Sequence, residues 1–356
     1  MKIKRLQASN FMLFNNIDID FSPNINIISG ENSTGKTALI KLLYASLKGY
    51  ANANESKANF TKDLLETSMV GKLQGVFRPD NDSVGRLVNR VQGSNRTDIS
   101  ILLDNQFNLQ YGFSNRHSSH IELKNDSFVE MGKITPVYIP PKEIISATEN
   151  FGALYDQYHI SFEETYYDLT RLLERPLRKE PNTNEQNIVM KSFEKIVNGS
   201  IIQREKKFYL KVKGSGEFEM GLVSEGYRKL ATVMYLILAG SLTKDSIMFW
   251  DEPETNMNPK MIQPMTEALI ELAKMGVQIF ITTHDYFLQQ SFNLDATYAN
   301  EMKKKKLEYR FISLDKNNTG EVIIECQDDL SQLSHNAIME EFDALYDREQ
   351  RLIYGN

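Results

Sequence analysis

Residues 25–49, INIISGENSTGKTALIKLLYASLKG, restrict the fold of this chain more than any other stretch. Gly30, Gly35, Lys36 and Thr37 fill the pattern G-x-x-x-x-G-K-[ST]. An apolar run (Ile25, Ile27, Ile28) leads in, and a helical repeat of Leu39, Ile40, Leu43 and Leu47 leads out to Gly49. A strand that turns through glycines onto a helix N-terminus aims backbone N–H groups and the positive end of the helix dipole at an anion. Gly30, Asn32, Ser33, Thr34, Gly35, Lys36 and Thr37 are therefore the expected phosphate-binding residues. Lys36 would reach the β- and γ-phosphates, and the Thr37 hydroxyl would ligate Mg²⁺. The stretch predicts a nucleotide site on an α/β sheet.

The rest of the chain need only support such a sheet, and composition allows it: 356 residues, 41% hydrophobic and 25% charged, enough for one large domain or two modest ones. A formal net charge of −6 does not advertise nucleic-acid binding, although a local basic patch on an acidic whole stays open. The single cysteine, Cys326, leaves no internal disulfide and no thiolate zinc site, and it fits a reducing cytoplasm, the expected location. No apolar run approaches the ~20 residues a membrane helix needs. The first residues, MKIKRLQASNF, lack the apolar core of a signal peptide.

Alternation predicts strands at 3–8 and 17–21 before the loop strand. Between them, Phe11 or Phe14 would lie either near a nucleotide base or in the core. Residues 51–133 turn richer in Asn, Ser and Asp, with short alternating pieces at 100–103, 107–113 and 120–123, and predict an antiparallel, partly helical lobe. His117 and His120 sit in a serine-rich turn without partners spaced for a metal, and are expected as loop histidines. Residues 134–139 read as a buried strand halted by Pro140 and Pro141, which delivers Lys142 and Glu143 to a strand end. Residues 147–200 read as helical, interrupted at Pro176 and Pro181, with a basic cluster of Arg171, Arg175, Arg178 and Lys179. A hairpin follows at 201–203, 208–212 and 218–222.

Ser224 then opens a strongly apolar helix. It is a good N-cap, and with Gly226 it also makes a second phosphate site at a helix start. Residues 246–252, SIMFWDE, read as a strand buried on both faces that ends in two carboxylates. Buried unpaired, these would be costly; a magnesium–nucleotide site offsets that. Asp251 would hold the metal and Glu252 would polarise the attacking water. Asn258 and Pro259 suit a helix start, with Pro264 giving a kink or a late start. Residues 277–281 form another buried strand, whose end places His284 as a γ-phosphate contact. The catalytic set expected is Glu252, His284 and Lys36; the metal set is Thr37 and Asp251.

Together these pieces resemble the ABC-type ATPases, in the soluble branch of RecF, SMC and OLD (overcoming lysogenization defect) proteins, AAA-family ATPases of bacterial defence or DNA maintenance. The resemblance covers residues 1–50 and about 134–290. GENSTGKT matches Walker A, IMFWDEPE Walker B, ITTHD the switch-histidine segment and ETNMNP the D-loop. VSEGYRKL resembles the signature, departing from its LSGGQ form at Glu225 and Tyr227. The usual Q-loop glutamine is not found, and Lys142 or Glu143 would stand in for it. The resemblance implies an α/β fold: an ABC-ATPase head with a mixed, largely parallel core sheet, an antiparallel β lobe (about 51–133) and a helical insertion (about 147–200). A poor heptad pattern predicts no long coiled coil. The head would span 1–290, with a strand–helix extension at 291–356 packed on it.

What the resemblance implies about activity is ATP hydrolysis with Mg²⁺ by two heads that sandwich two ATP molecules, each held by Walker A of one subunit and Ser224 of the other. After His284 no acidic constellation resembles the OLD-type nuclease; Asp328, Asp329, Glu340, Glu341 and Asp343 fall in an acidic tail. The expected protein is thus a cytoplasmic homodimeric or higher homo-oligomeric ATPase that controls a separate effector, a nuclease or toxin, in antiphage defence or DNA maintenance. Two alternatives stand beside it: a nucleotide-gated scaffold with little turnover, and a RecF-like DNA clamp. The Lys303–Lys306 run ends in solvent or on a phosphate backbone.

Overall fold

In the computed structural model the residues described are 1–55, 60–90, 92–116, 119–124, 134–158, 160–299 and 306–355. His117 and Lys303 to Lys305 lie outside them.

The strand entering the phosphate loop, β3 (Ile25–Gly30), is buried at every position, as a strand covered on both faces must be. It lies inside a six-stranded sheet ordered β14 (Val322–Gln327), β13 (Tyr309–Lys316), β3, β12 (Gln278–Thr282), β11 (Ser246–Asp251), β7 (Thr135–Ile139). All neighbours are parallel except β13 and β14. Side-chain alternation splits β11 between two cores. Met248 and Trp250 face one cluster, with α4 (Glu164–Leu173), α5 (Asn184–Val197), α6 (Glu225–Leu238), α7 (Pro259–Lys274) and α8 (Tyr286–Tyr298). Ile247 and Phe249 face the other, with α1 (Lys36–Glu55) and α2 (Lys62–Phe77).

That second cluster is closed by a five-stranded antiparallel sheet: β2 (Phe14–Asp20), β1 (Ile3–Phe11), β4 (Arg96–Leu103), β5 (Asn108–Ser114), β6 (Glu122–Leu123). The antiparallel lobe therefore takes strands from both sides of the phosphate loop, because β1 pairs with β4 from Ile3 to Ser9. A smaller sheet holds β8 (Gly199–Arg204), β9 (Lys207–Val212) and β10 (Gly216–Glu219). It follows the helical stretch, which includes α3 (Phe151–Tyr158). The longest described helix is α1, of 20 residues. Among the described residues no helix is long and apolar enough to cross a membrane.

Beyond residue 290, β13 pairs with β3 from Tyr309 to Leu314 and so lies in the core sheet. The last helix, α9 (Ala337–Tyr354), has no buried residue along its length and rests on the start of α8, where Phe342 stacks on Tyr286 at 4.3 Å. The helix α7 begins at the expected Asn258 and Pro259, not late at Pro264. The Asn258 side chain accepts the Lys260 N–H at 2.9 Å, Pro259 occupies the first turn, and the helix continues through Pro264.

Candidate nucleotide-binding site

The loop's glycines are required by its neighbours as well as by its turns. Gly30 has φ +142°, and a Cβ there would lie 2.0 Å from the Leu314 carbonyl oxygen on β13. Gly35 has φ +97°, and its Cβ would meet the Phe14 ring at 2.5 Å. Phe11 and Phe14 are both fully buried in the core, Phe14 beneath the loop. They pair across a tight turn, which turns Met12 and Leu13 toward a cleft of about 420 Å³. Phe77 joins them on the apolar side; Ser33, Lys36, Thr37, Glu252 and His284 form the polar side. The apolar end was legible in the sequence only as an aromatic, whereas the turn geometry presents Met12 and Leu13 instead.

Lys36 donates to the carbonyls of Gly30 (2.9 Å) and Glu31 (2.8 Å), so its ammonium is folded back across the loop it would release for a phosphate. Burial lowers its pKa to about 8. Thr34 is buried and donates to the Glu31 carbonyl at 2.8 Å, fixing the turn; Asn32 and Ser33 line the cleft, Ser33 with φ +61°.

Thr37, at the start of α1, donates its hydroxyl to Asp251 Oδ1 at 2.9 Å. Asp251 is 1% exposed, and also accepts from Tyr138 (3.0 Å) and Thr282. Burial pushes its carboxyl pKa up, and the three hydroxyl donors oppose that shift. A threonine hydroxyl beside a carboxylate oxygen is the all-oxygen donor chemistry Mg²⁺ takes, so the residues fit that metal. Neither Tyr138 nor Thr282 is among the expected site residues, although Thr282 lies in the ITTHD segment.

Glu252 follows β11 directly, in a left-handed backbone, φ +46°, its N–H held by the Thr282 carbonyl and hydroxyl, each at 3.1 Å. The carboxylate stands 3.3 Å from His284 Nε2. Burial, followed by the Lys36 charge, lowers the His284 pKa, and the Glu252 and Asp251 charges oppose that shift. Glu254 turns the other way. Its Oε1 accepts from the Thr283 hydroxyl (2.6 Å) and the His284 N–H (2.9 Å), and burial raises its pKa to about 7.

Ser224 caps α6 by backbone geometry, but its exposed hydroxyl makes no cap hydrogen bond. Neither it nor the buried Gly226 lines the cleft among the described residues. Glu143 accepts from Arg228 (2.5 Å) and Ser146 (2.6 Å), bracing the first turns of α6. Lys142 is exposed. Of the basic cluster, Arg178 is bonded to Gln186 at 2.9 Å and packs against Gly240.

Residues 76–288 match the family model described as "AAA domain, putative AbiEii toxin, Type IV TA system". Over 84 residues the chain is 32% identical to a "DNA replication and repair protein RecF" of Halalkalibacterium halodurans, covering 23% of this chain and 21% of that protein. Over 114 residues it is 27% identical to "Structural maintenance of chromosomes protein 6A" of Arabidopsis thaliana, covering 30% and 11%. The chain thus spans about a fifth, or less, of the length of these curated relatives. The backbone is similar to an SMC head solved with the C-winged helix domain of ScpA (TM-score 0.55, 13% identity, 93% of this chain and 99% of that one). It is also similar to the Pyrococcus furiosus Smc head with an extended coiled coil, bound to the C-terminal domain of ScpA (TM-score 0.51, 10% identity, 98% and 99%). At such identities the shared property is the fold.

Proposed function

Because the chain belongs to this AAA-domain family, as an ABC-type P-loop ATPase of the RecF and SMC branch, we propose that it binds Mg²⁺–ATP in the cleft beside Lys36 and hydrolyses it. The observation that carries this reading is the convergence of three separate segments at one site: the glycine loop ending in Thr37, the end of β11 with Asp251 and Glu252, and the end of β12 with His284. Thr37 and Asp251 would hold Mg²⁺, which supplies charge neutralisation at the phosphates. Lys36 and the N–H groups of residues 30–37 bind the β- and γ-phosphates. Glu252 takes the proton of the attacking water, and His284, whose Nε2 faces that carboxylate at 3.3 Å, contacts the γ-phosphate. Met12, Leu13 and Phe77 offer the base an apolar wall.

The exposed, uncapped Ser224 hydroxyl supports a head-to-head homodimer in which Ser224 and Gly226 complete the partner's site. We read residues 1–355 as one head whose activity governs a separate effector, a nuclease or toxin, in defence or DNA maintenance. Phosphate release and solution mass, each with and without Mg²⁺–ATP, test this: turnover with an ATP-dependent dimer is expected, and the absence of both turnover and a mass change ends the reading. A nucleotide-gated scaffold is the second reading, favoured by Glu225, which sets a carboxylate where the signature has glycine. Slow turnover with tight ATP-dependent dimerisation would select it.

A further inference from the structure

Lys229 is 1% exposed, yet its ammonium group faces no carboxylate at bonding distance among the described residues. Instead it lies against three backbone carbonyls of one turn: Glu252 at 3.3 Å, Pro253 at 3.4 Å and Thr255 at 2.8 Å. Three donors thus meet three acceptors. Burying a cation is costly, and here burial lowers its pKa. An apolar side chain would fill the same space without that cost, so packing alone does not account for a lysine.

The turn it grips carries the hydrolytic carboxylate. Glu252 and Asn256 both have left-handed backbones, φ +46° and +60°, which side-chain-bearing residues rarely adopt and which surrounding bonds must hold. A second tie runs from the same helix, where Asn256 donates to Glu225 at 2.9 Å. On its far side, the turn is held by Glu254 to Thr283 and to the N–H of His284. Lys229 sits little more than one helical turn beyond Ser224 on α6.

We propose that Lys229 is a positioning residue: it holds the backbone that aims Glu252 at the cleft, and it couples the N-terminus of α6 to that aim. This rests on the ATPase reading above. A displacement of the first turn of α6, such as engagement of Ser224 by a phosphate in the opposing subunit, is carried through a rigid ammonium–carbonyl contact to the Glu252 backbone. Each head would then sense contact at its signature end and adjust hydrolysis at its own cleft.

The test is Lys229→Met in the full chain, which keeps the stem and removes the charge. Binding of a fluorescent ATP analogue and the Mg²⁺–ATP dimer mass should be retained, with kcat falling about tenfold or more at unchanged KM. In the Glu252→Gln background, the same change should cause no further fall, since the group being positioned is already lost. An unchanged kcat in Lys229→Met, or an equal additional fall in the Glu252→Gln background, overturns the proposal. Should the Met variant fail to fold, Lys229→Gln replaces it with the same expectation, and an unchanged kcat is again decisive. A wild type that binds ATP without turnover refutes the enzyme reading itself, and the coupling with it.

Discussion

His284 Nε2 lies 3.3 Å from Glu252 Oε1, and the two side chains arrive from the ends of adjacent parallel strands, β12 and β11. Neither strand end alone would make a catalytic pair. Glu252→Gln keeps an acceptor for His284 and removes the base. The expected result is a fall in phosphate release of about 10²-fold or more, with ATP binding kept and the ATP-bound dimer accumulating. Turnover at the wild-type rate would show that Glu252 is not the base.

Ser224→Ala separates two roles that sequence leaves together. Loss of an N-cap side chain ordinarily costs about 1 kcal/mol, but this hydroxyl makes no cap bond. The melting temperature should therefore hold while ATP-dependent dimerisation weakens. A lowered melting temperature with dimerisation intact would assign Ser224 to capping.

Glu254 gives a pH signature. Burial raises its pKa from 4.5 to about 7, so the folded state holds this proton where the unfolded state has lost it. Stability from this group therefore falls as pH rises from about 4.5 to about 7 and is level above. Glu254→Gln keeps an acceptor for Thr283 and the His284 N–H and cannot ionise. Thermal melts should show the variant gaining on wild type across that window, by a few degrees at pH 7.5. A gap that does not change with pH would contradict it.

Gly30→Ala tests the loop's dependence on β13. The added Cβ would meet the Leu314 carbonyl oxygen at 2.0 Å, on a backbone at φ +142°. Overpacking and strain together predict a loss of about 3 kcal/mol. Urea unfolding measures it, and a loss under about 0.5 kcal/mol, the range of ordinary surface changes, would mean that the two strands part easily.

The chain's local chemistry determined the phosphate loop, the doubly buried strands before Glu252 and His284, and the apolar helix behind Ser224. Each is written in spacing over a few residues, which backbone geometry converts directly into a strand, a turn or a helix face. Tertiary structure alone decided the rest. It placed β13 beside β3, so that Leu314 makes Gly30 obligatory, and it folded the N-terminal hairpin so that Met12 and Leu13, rather than Phe11 or Phe14, meet the cleft. It brought Tyr138 and Thr282 onto Asp251, paired Glu143 with Arg228 and set Lys229 under the Glu252 turn. These contacts join groups far apart in the chain. A buried carboxylate or ammonium must find partners, but which groups it finds depends on how the strands close around it, not on its neighbours in sequence.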